Sequence, residues 1–180
     1  MNAGPSRSSE AELIAGLKRG DANAADEFFD AYAARIRCFI GNALGPHSVD
    51  ADDILQDTVI ALAEALPFFR GESSLFTFAC AIAHRKVLTV FRSNARRARI
   101  TLAAAVAQPD SHQPPSSDNS DVKHAFYRLT PEYREILSLK YIEEISVAEI
   151  ARVLTMSEHA IESRLARARK ALRKSLEETR

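Results

Sequence analysis

Apolar residues recur at three- and four-residue intervals along most of the chain, the spacing typical of amphipathic α-helices. The longest such stretch covers residues 23–44, and its expected core positions are Phe28, Phe29, Tyr32, Ile36, Phe39 and Ile40. The same spacing predicts further helices at about 10–19, 49–66, 74–92, 122–127 and 131–141, with two more within 145–174. Alanine and leucine are abundant and glycine is scarce, so we predict an all-α fold.

The helical pattern is interrupted by one long polar stretch. Residues 101–121 contain the run QPDSHQPPSSDNSD, in which prolines, serines and acids replace bulky apolar residues. This composition predicts a flexible linker. We therefore expect a disordered N-terminus at 1–9, one small helical domain at 10–100, and a second domain of four helices at 122–180.

Residues 145–165 have the pattern of a helix-turn-helix motif. Ser146 and Glu149 form a capping box that begins the first helix, and Ser157 is a good N-cap for the second. Ala151 is small enough to let two crossing helices approach closely. Because the second helix of this motif enters the major groove, the stretch predicts a DNA-binding element. The alternative is an ordinary helical hairpin followed by a solvated basic tail.

Charged residues are clustered, although 24 basic and 24 acidic side chains give a formal net charge of zero. Two stretches are basic without a single acid, and their cations are Arg85, Lys86, Arg92, Arg96, Arg97 and Arg99, then Arg164, Arg167, Arg169, Lys170, Arg173 and Lys174. An opposing acidic cluster consists of Asp50, Asp52, Asp53 and Asp57. The basic stretches predict a polyanion bound at two places, and the acidic cluster predicts a different partner.

Helix electrostatics offer a structural alternative for both kinds of cluster. Acids stabilise a helix N-terminus and cations a C-terminus, but the effect fades beyond one turn. It therefore leaves Gln56 and Asp57 unexplained, since they lie beyond the first turn of the predicted helix. Six cations in 85–99 without a counter-charge also exceed what capping requires, and so we interpret them as phosphate contacts.

An aromatic and basic loop lies between two predicted helices. It combines Phe68 and Phe69 with Arg70 and Gly71, a composition that stacks an unpaired nucleic-acid base. The alternative is that the phenylalanines pack beneath the loop, which we expect for one of them.

Residues for catalysis or metal binding do not form any specific pattern. The five histidines are scattered without metal-ligand spacing, and no glycine-rich loop is present to hold a phosphate. Cys38 and Cys80 lie in apolar helical contexts and are predicted to be buried free thiols. We expect no cofactor, no bound metal and no enzymatic activity. Without an apolar signal or membrane-spanning segment, the expected location is the cytoplasm.

Three motifs in order resemble bacterial sigma factors of the extracytoplasmic-function type, over residues 12–176. Residues 50–57, DADDILQD, resemble the family's polymerase-binding helix. Residues 69–78 with Ile82-Ala83 resemble its promoter-melting segment. Residues 129–135, together with the helix-turn-helix and 163–169, resemble its fourth region.

The resemblance implies a set of partners and a role for each motif. The partners are core RNA polymerase, through the clamp helices of its largest subunit and its flap, promoter DNA, and an anti-sigma factor, with no small-molecule substrate. Polymerase contacts would be Asp53, Gln56 and Asp57. Contacts to the minus-10 element would be Phe69, Arg70, Ser73, Arg85, Lys86 and Arg92. Contacts to the minus-35 element would be Ser157, His159, Glu162, Ser163, Arg164 and Arg167.

Five positions depart from the family pattern. Phe78 stands where the family usually has tryptophan, Arg85 where it often has asparagine, and Thr89 where it often has aspartate. Thr155 replaces the glycine common in the turn, and Glu162 replaces a lysine or arginine of the recognition helix. Because a carboxylate can accept from cytosine N4 but cannot contact guanine or a phosphate, we predict an unusual minus-35 sequence.

Two other functions remain open from the sequence. A stand-alone helix-turn-helix regulator would explain 145–165 but not the side of the helix that carries Asp53, Gln56 and Asp57. A sigma-like decoy that sequesters an anti-sigma factor would fit the departures at Thr89, Thr155 and Glu162, but it would not need the two basic stretches.

Overall fold

The structure is a computed structural model that describes residues 7–45, 51–102 and 120–178. Every regular element over these residues is helical, which confirms the predicted all-α class. The α-helices are α1 (Arg7–Lys18), α2 (Ala22–Phe28), α3 (Ala34–Leu44), α4 (Ala51–Ala65), α5 (Leu75–Leu102), α6 (Ser120–Tyr127), α7 (Pro131–Leu137), α8 (Val147–Leu154) and α9 (Glu158–Glu177). None of these helices carries an apolar stretch long enough to cross a bilayer.

A π turn over Phe29–Ala33 joins α2 to α3, so the long helix expected at 23–44 is one continuous rod with a widened turn. Phe28 and Tyr32 lie four residues apart and are both buried. Phe29 was expected in the core but is 46% exposed, which corrects that prediction. The reason is rotation, because adjacent helical residues point about 100° apart and Phe28 already occupies the inward direction.

Helix α3 forms the centre of the N-terminal half and packs against α4 and α5. Its Ile36, Phe39 and Ile40 are fully buried. Helix α5 packs against it, and its Ala79 and Ala83 are also fully buried and small enough for close approach of helices. Each large apolar side chain buried in this way contributes about 1.5–3 kcal/mol relative to exposure.

Helix α1 is tied to this core by the carboxylate of Glu10. Its Oε1 accepts a hydrogen bond from the backbone N of Leu75 at 2.9 Å and from the hydroxyl of Tyr32 at 3.4 Å. Burial, together with the nearby Glu10 charge, raises the pKa of Tyr32 to about 12. Helix α1 begins at Arg7, so residues 7–9 belong to a helix and not to the disordered N-terminus that was predicted. Residues 1–6 lie outside the described residues.

The helix-turn-helix has the predicted geometry. The backbone N of Glu149 donates to Ser146 Oγ at 3.2 Å, and its carboxylate accepts from the backbone N of Ser146 at 3.4 Å, which completes the capping box. Ser157 Oγ caps α9 by accepting from Ala160 N at 3.3 Å. Thr155 ends α8 in the left-handed region, with φ 54°. A side chain with a branched Cβ is strained there, so the missing glycine costs about 1 kcal/mol.

One boundary prediction and one burial prediction need correction. Helix α5 runs to Leu102 and α6 begins at Ser120, so both ends of the predicted linker 101–121 are helical, and 103–119 lie outside the described residues. Cys80 is buried as expected, but Cys38 is exposed on α3.

The two halves of the chain pack directly against each other, which the sequence did not predict. Helix α7 lies against α3, and α8 lies against α5. We call this packing the closed arrangement. Its centre is Arg134, which is almost fully buried and donates across the interface to the carbonyls of Asn42 at 2.8 Å and Ala43 at 2.9 Å. A third donor hydrogen bonds to Leu129 O at 2.6 Å within its own half.

Further polar pairs cross the interface of the closed arrangement. Asn42 Nδ2 donates to Ser138 Oγ at 2.7 Å, and His84 Nδ1 lies 2.5 Å from Glu135 Oε1. All four residues are buried or half-buried. Because an unpaired buried polar group is costly, these pairs favour one specific docking of the two halves.

An ion pair closes one edge of the interface. Arg35 Nε donates to Glu143 Oε2 at 2.9 Å, with 19% and 4% of the respective side chains exposed. The Arg35 guanidinium also lies over the ring of Phe76, at 3.9 Å from its centre. Burial raises the pKa of Glu143, and the hydrogen bond from Arg35 opposes that shift.

Candidate functional site

The acidic face consists of Asp53, Gln56 and Asp57 on α4, and all three side chains are exposed. The opposite side of the same helix is buried through Ile54, Thr58 and Leu62. Since Thr58 Oγ1 donates back to Ile54 O at 2.6 Å, the one polar residue of the buried side is satisfied within the helix. The core therefore fixes the rotation of α4 and directs the acidic face outward.

Asp52 differs from the acidic face because it already has a partner. Arg37 Nη2 donates to Asp52 Oδ2 at 2.9 Å, and the hydrogen bonding from Arg37 lowers the pKa of that carboxyl. No ion pair within the described part of the chain involves Asp53 or Asp57. Their charge is thus available to a partner. Asp50, the fourth member of the predicted acidic cluster, lies outside the described residues.

The two adjacent phenylalanines of the loop 67–74 differ in their exposure to solvent. Phe69 is 9% exposed, with its ring centre 4.7 Å from that of Phe78, and its carbonyl accepts from Lys18 Nζ at 3.0 Å. Phe68 is 82% exposed. Arg70 is exposed, and Gly71 turns the chain with φ +74°, a conformation that favours glycine. Phe69, which was predicted to contact the minus-10 element, is therefore buried in the closed arrangement and supports the loop from below.

The serines of this loop start α5. Ser74 Oγ accepts from the backbone N of Thr77 at 3.0 Å and so caps the helix, while Ser73 is half-buried and donates to Ser74 O at 3.3 Å. The C-terminal half of the chain reaches the same loop. Arg152 Nη1 donates to the carbonyl of Glu72 at 2.8 Å. The closed arrangement thus holds α8 against the loop.

The first basic stretch lies along α5, a helix of 28 residues. Arg85 and Arg92 are exposed and lie two turns apart, whereas Lys86 is half-buried. Arg96 is also exposed, and the side chains of Arg97 and Arg99 lie outside the described residues. Two arginines that lie on the same side of a helix at this spacing can both contact phosphates of one nucleic-acid backbone.

Helix α9 presents its predicted residues on the side opposite its core. The core side consists of Ile161, Leu165 and Ala168, all buried. The exposed positions are Ser157, His159, Glu162, Ser163 and Arg167, while Arg164 is half-buried. These six residues are brought together along one helix that is about 30 Å long.

A groove between α3, α6 and α9 was missed at the sequence level. Its volume is about 730 Å³, and its apolar lining includes Val122, Phe126, Tyr141, Ile142, Leu172 and Leu176. Three cations, Lys123, Arg169 and Arg173, also line it, together with Cys38 and Asn42 from the N-terminal half. Val122, Tyr141 and Ile142 are more than half exposed. In the sequence, the apolar pair Tyr141-Ile142 at the end of a helix was the feature that could have indicated this groove.

Groups of three or more histidine, cysteine, aspartate or glutamate side chains arranged to hold a metal ion do not occur among the described residues. Over the residues that the structure describes, the surface presents an acidic face, two basic stretches and an apolar groove. These are surfaces for recognising macromolecules.

Two family descriptions match the chain in sequence order. Residues 28–97 match Sigma-70 region 2, and residues 121–172 match Sigma-70, region 4. The ECF RNA polymerase sigma factor SigM of Mycobacterium tuberculosis H37Rv is 29% identical over 175 residues, which cover 93% of this chain and 85% of SigM.

A solved structure has the same fold. The sigma factor RpoE of Bartonella quintana, in complex with the anti-sigma factor NepR, superposes with a TM-score of 0.70 at 23% identity, covering 84% of this chain and 96% of RpoE. The ECF RNA polymerase sigma factor SigC of Mycobacterium tuberculosis CDC 1551 is 34% identical over 125 residues, which are 68% of either chain. Relatives of this similarity, with both regions matched in the family's order, show that the chain belongs to the extracytoplasmic-function family of RNA polymerase sigma factors.

Proposed function

We propose that this promoter-recognising sigma factor binds core RNA polymerase through the acidic face and contacts the promoter at two separate places. The loop 67–74 and α5 would contact the minus-10 element, and α9 the minus-35 element. The observation that carries the proposal is the separation of charge, since Asp53 and Asp57, which form no ion pair with any described residue, are exposed on α4, while the exposed cations lie on α5 and α9. Carboxylates repel phosphates, so the acidic face suits a protein and the basic faces suit DNA.

The contacts on α9 follow from the geometry of a recognition helix. The residues nearest its N-terminus enter the groove, where Ser157, His159 and Glu162 are exposed. Ser163 and Arg167 lie on the same face, with Arg167 Nε donating to Ser163 O at 3.4 Å. The cation would contact a phosphate, and the earlier residues would contact base edges.

The closed arrangement cannot make both promoter contacts at once. The names minus-10 and minus-35 place the two elements about 25 base pairs apart. This spacing corresponds to ~85 Å of duplex at about 3.4 Å per base pair. A compact chain of this size is only about 40 Å across. Residues 103–119, between α5 and α6, can reach at most ~60 Å, enough for separated halves to cover the distance. Binding to polymerase and promoter therefore requires the two halves to separate.

Run-off transcription tests the proposed function against both alternatives. The full chain is mixed with core polymerase and a genomic promoter library, and transcripts are sequenced. We expect transcripts from a defined promoter set that require both the chain and core polymerase. A stand-alone regulator would bind those promoters without polymerase, and a decoy would give no transcripts. The chain would act without a catalytic step or cofactor, in the cytoplasm where polymerase operates.

Replacing Glu162 with lysine is expected to change the preferred minus-35 sequence. The side chain is exposed on the face of α9 that would enter the groove. A carboxylate accepts from cytosine, whereas lysine donates to guanine, and one such contact discriminates by about 1–3 kcal/mol. Selection from randomised minus-35 sequences with each holoenzyme measures the change. Glu177→Lys, at the far end of the same helix, is the matched control. An identical consensus for wild type and Glu162→Lys would exclude a base contact there.

We also propose that an anti-sigma factor docks in the groove between α3, α6 and α9. Support comes from its exposed apolar lining and three cations, which suit an acidic amphipathic helix, and from the fold shared with the NepR-bound RpoE. Since the groove is lined by residues from both halves, an occupant would stabilise the closed arrangement. This arrangement would keep the sigma factor away from promoters.

Alkylation of cysteine tests the docking proposal within one molecule. Cys38 lines the groove and is exposed, whereas Cys80 is fully buried elsewhere and serves as the internal control. Complex formation with the anti-sigma factor is expected to slow alkylation of Cys38 at least tenfold and leave Cys80 unreactive. An unchanged Cys38 rate in the complex would place the partner elsewhere.

A further inference from the structure

Phe68 is the most exposed large apolar side chain that the structure describes, at 82%. The next most exposed are between 53% and 54%, and three of those, Val122, Tyr141 and Ile142, belong to the apolar groove. Phe68 does not contribute its ring to the core, so the fold itself does not explain a phenylalanine at this position.

The backbone that carries the exposed ring is nevertheless anchored. Phe68 ends a single 3-10 turn, Leu66–Phe68, between the buried residues Leu66 and Phe69. Phe69 N donates to Leu66 O at 3.1 Å, and Phe69 O accepts from Lys18 Nζ at 3.0 Å. Pro67 restricts the backbone between the two buried side chains. The ring is therefore presented to solvent from a rigid support.

The surroundings of Phe68 suit a nucleic-acid base better than an apolar protein surface. Arg70, two residues further, is exposed and can neutralise a phosphate of the same nucleotide strand. Glu72 carries the carboxylate of the loop, and the turn at Gly71 separates it in the chain from Phe68 and Arg70. An exposed aromatic ring two residues from an exposed cation suits the stacking of an unpaired base, because every base offers a planar face.

We propose that Phe68, and not its buried neighbour Phe69, stacks on an unpaired base of the melted minus-10 element. The inference rests on the proposed function, in which this loop contacts that element. The stack exists only when the base has left the duplex, so it stabilises the melted promoter over the closed duplex. Phe69 acts indirectly, by packing on Phe78 and holding the turn that presents Phe68.

The test uses holoenzyme assembled from core polymerase and the full chain, on a promoter that the wild-type holoenzyme transcribes. The probe is 2-aminopurine placed in the non-template strand of the minus-10 element, whose fluorescence reports unstacking from DNA and stacking on an aromatic ring. Holoenzyme affinity for the single non-template strand is measured in parallel. The variants are Phe68→Ala and Phe68→Trp, with Phe29→Ala as a matched control, since Phe29 is a half-exposed phenylalanine on another helix.

Phe68→Ala is expected to weaken single-strand binding about tenfold and to remove the fluorescence change at one position, with core-polymerase affinity unchanged. Phe68→Trp keeps both signals, and Phe29→Ala has wild-type values. Wild-type behaviour of Phe68→Ala would overturn the stacking role while leaving the proposed function intact. An equal loss of affinity for core polymerase would instead make Phe68 a protein contact. If wild-type holoenzyme opens no promoter, the proposed function fails together with this inference.

Discussion

Replacing Asp57 with arginine is expected to weaken binding to core RNA polymerase about 100-fold while leaving the fold unchanged. Asp57 is an exposed member of the acidic face and forms no ion pair with any residue that the structure describes. A partner that binds this face must offer cations, so a reversed charge converts attraction into repulsion and costs several kcal/mol. Titration of labelled core polymerase with the variant chain measures the affinity directly.

The matched control for this result is Asp26→Arg. Asp26 is also an exposed aspartate on a helix of the N-terminal half, but it lies on α2 and not on α4. It changes net charge by the same amount and should keep wild-type affinity. Equal weakening by both variants would mean that overall charge, and not the acidic face, attracts the polymerase. Unaltered unfolding temperatures for both variants would exclude a loss of structure.

Replacing Glu143 with alanine is expected to raise the apparent affinity for core polymerase by up to about 30-fold. The change leaves Arg35 without its partner inside the closed arrangement, where only 19% of that side chain is exposed. Breaking such a pair costs roughly 3–5 kcal/mol when both groups are deeply buried, and about 2 kcal/mol is expected for this less buried arginine. Both side chains reach water once the halves separate, so the penalty applies to the closed arrangement alone.

A larger open population raises apparent affinity because polymerase selects the separated halves. The observed dissociation constant is the intrinsic one divided by the open fraction, so the gain ends when most molecules are open. Glu132→Ala is the matched control, since Glu132 is an exposed glutamate on α7 outside the interface. Small-angle scattering should show an increased radius of gyration for Glu143→Ala only. An unchanged affinity together with an increased radius would mean that opening does not limit polymerase binding.

Much of the fold could be predicted because it depends on local patterns. Helix periodicity identified the core residues of α3, and Ser146 with Glu149 identified the start of α8 through a capping box. The exposed side of α4 followed from the same periodicity, since Ile54 and Leu62 require the opposite side for the core.

The closed arrangement could not be predicted because its determinants are distant in sequence. Arg134 and Glu135 are charged residues, which a sequence pattern places on the exposed side of a helix, yet both are buried. The carbonyl partner of Arg134 at Asn42 is 92 residues away, and the histidine partner of Glu135 is 51 residues away. Only the tertiary structure provides the hydrogen bonds that make such burial tolerable.

The assignment within the loop also required the structure. Phe68 and Phe69 are adjacent, and helical periodicity does not apply at the end of a short 3-10 turn. Which ring is buried depends on Phe78 and on the hydrogen bond from Lys18. The sequence could identify an aromatic and basic loop, but not the side chain that faces solvent.

We expect binding to core polymerase to separate the two halves so that one chain contacts both promoter elements. A distance between spin labels tests it most directly, with labels at Asp30→Cys and Lys170→Cys, two exposed positions in different halves. The exposed Cys38 is replaced by serine, while the buried Cys80 is kept. We expect a single short distance in the free chain and an increase of tens of ångströms on binding core polymerase. The same distance in both states, in a chain that still supports transcription, would contradict it.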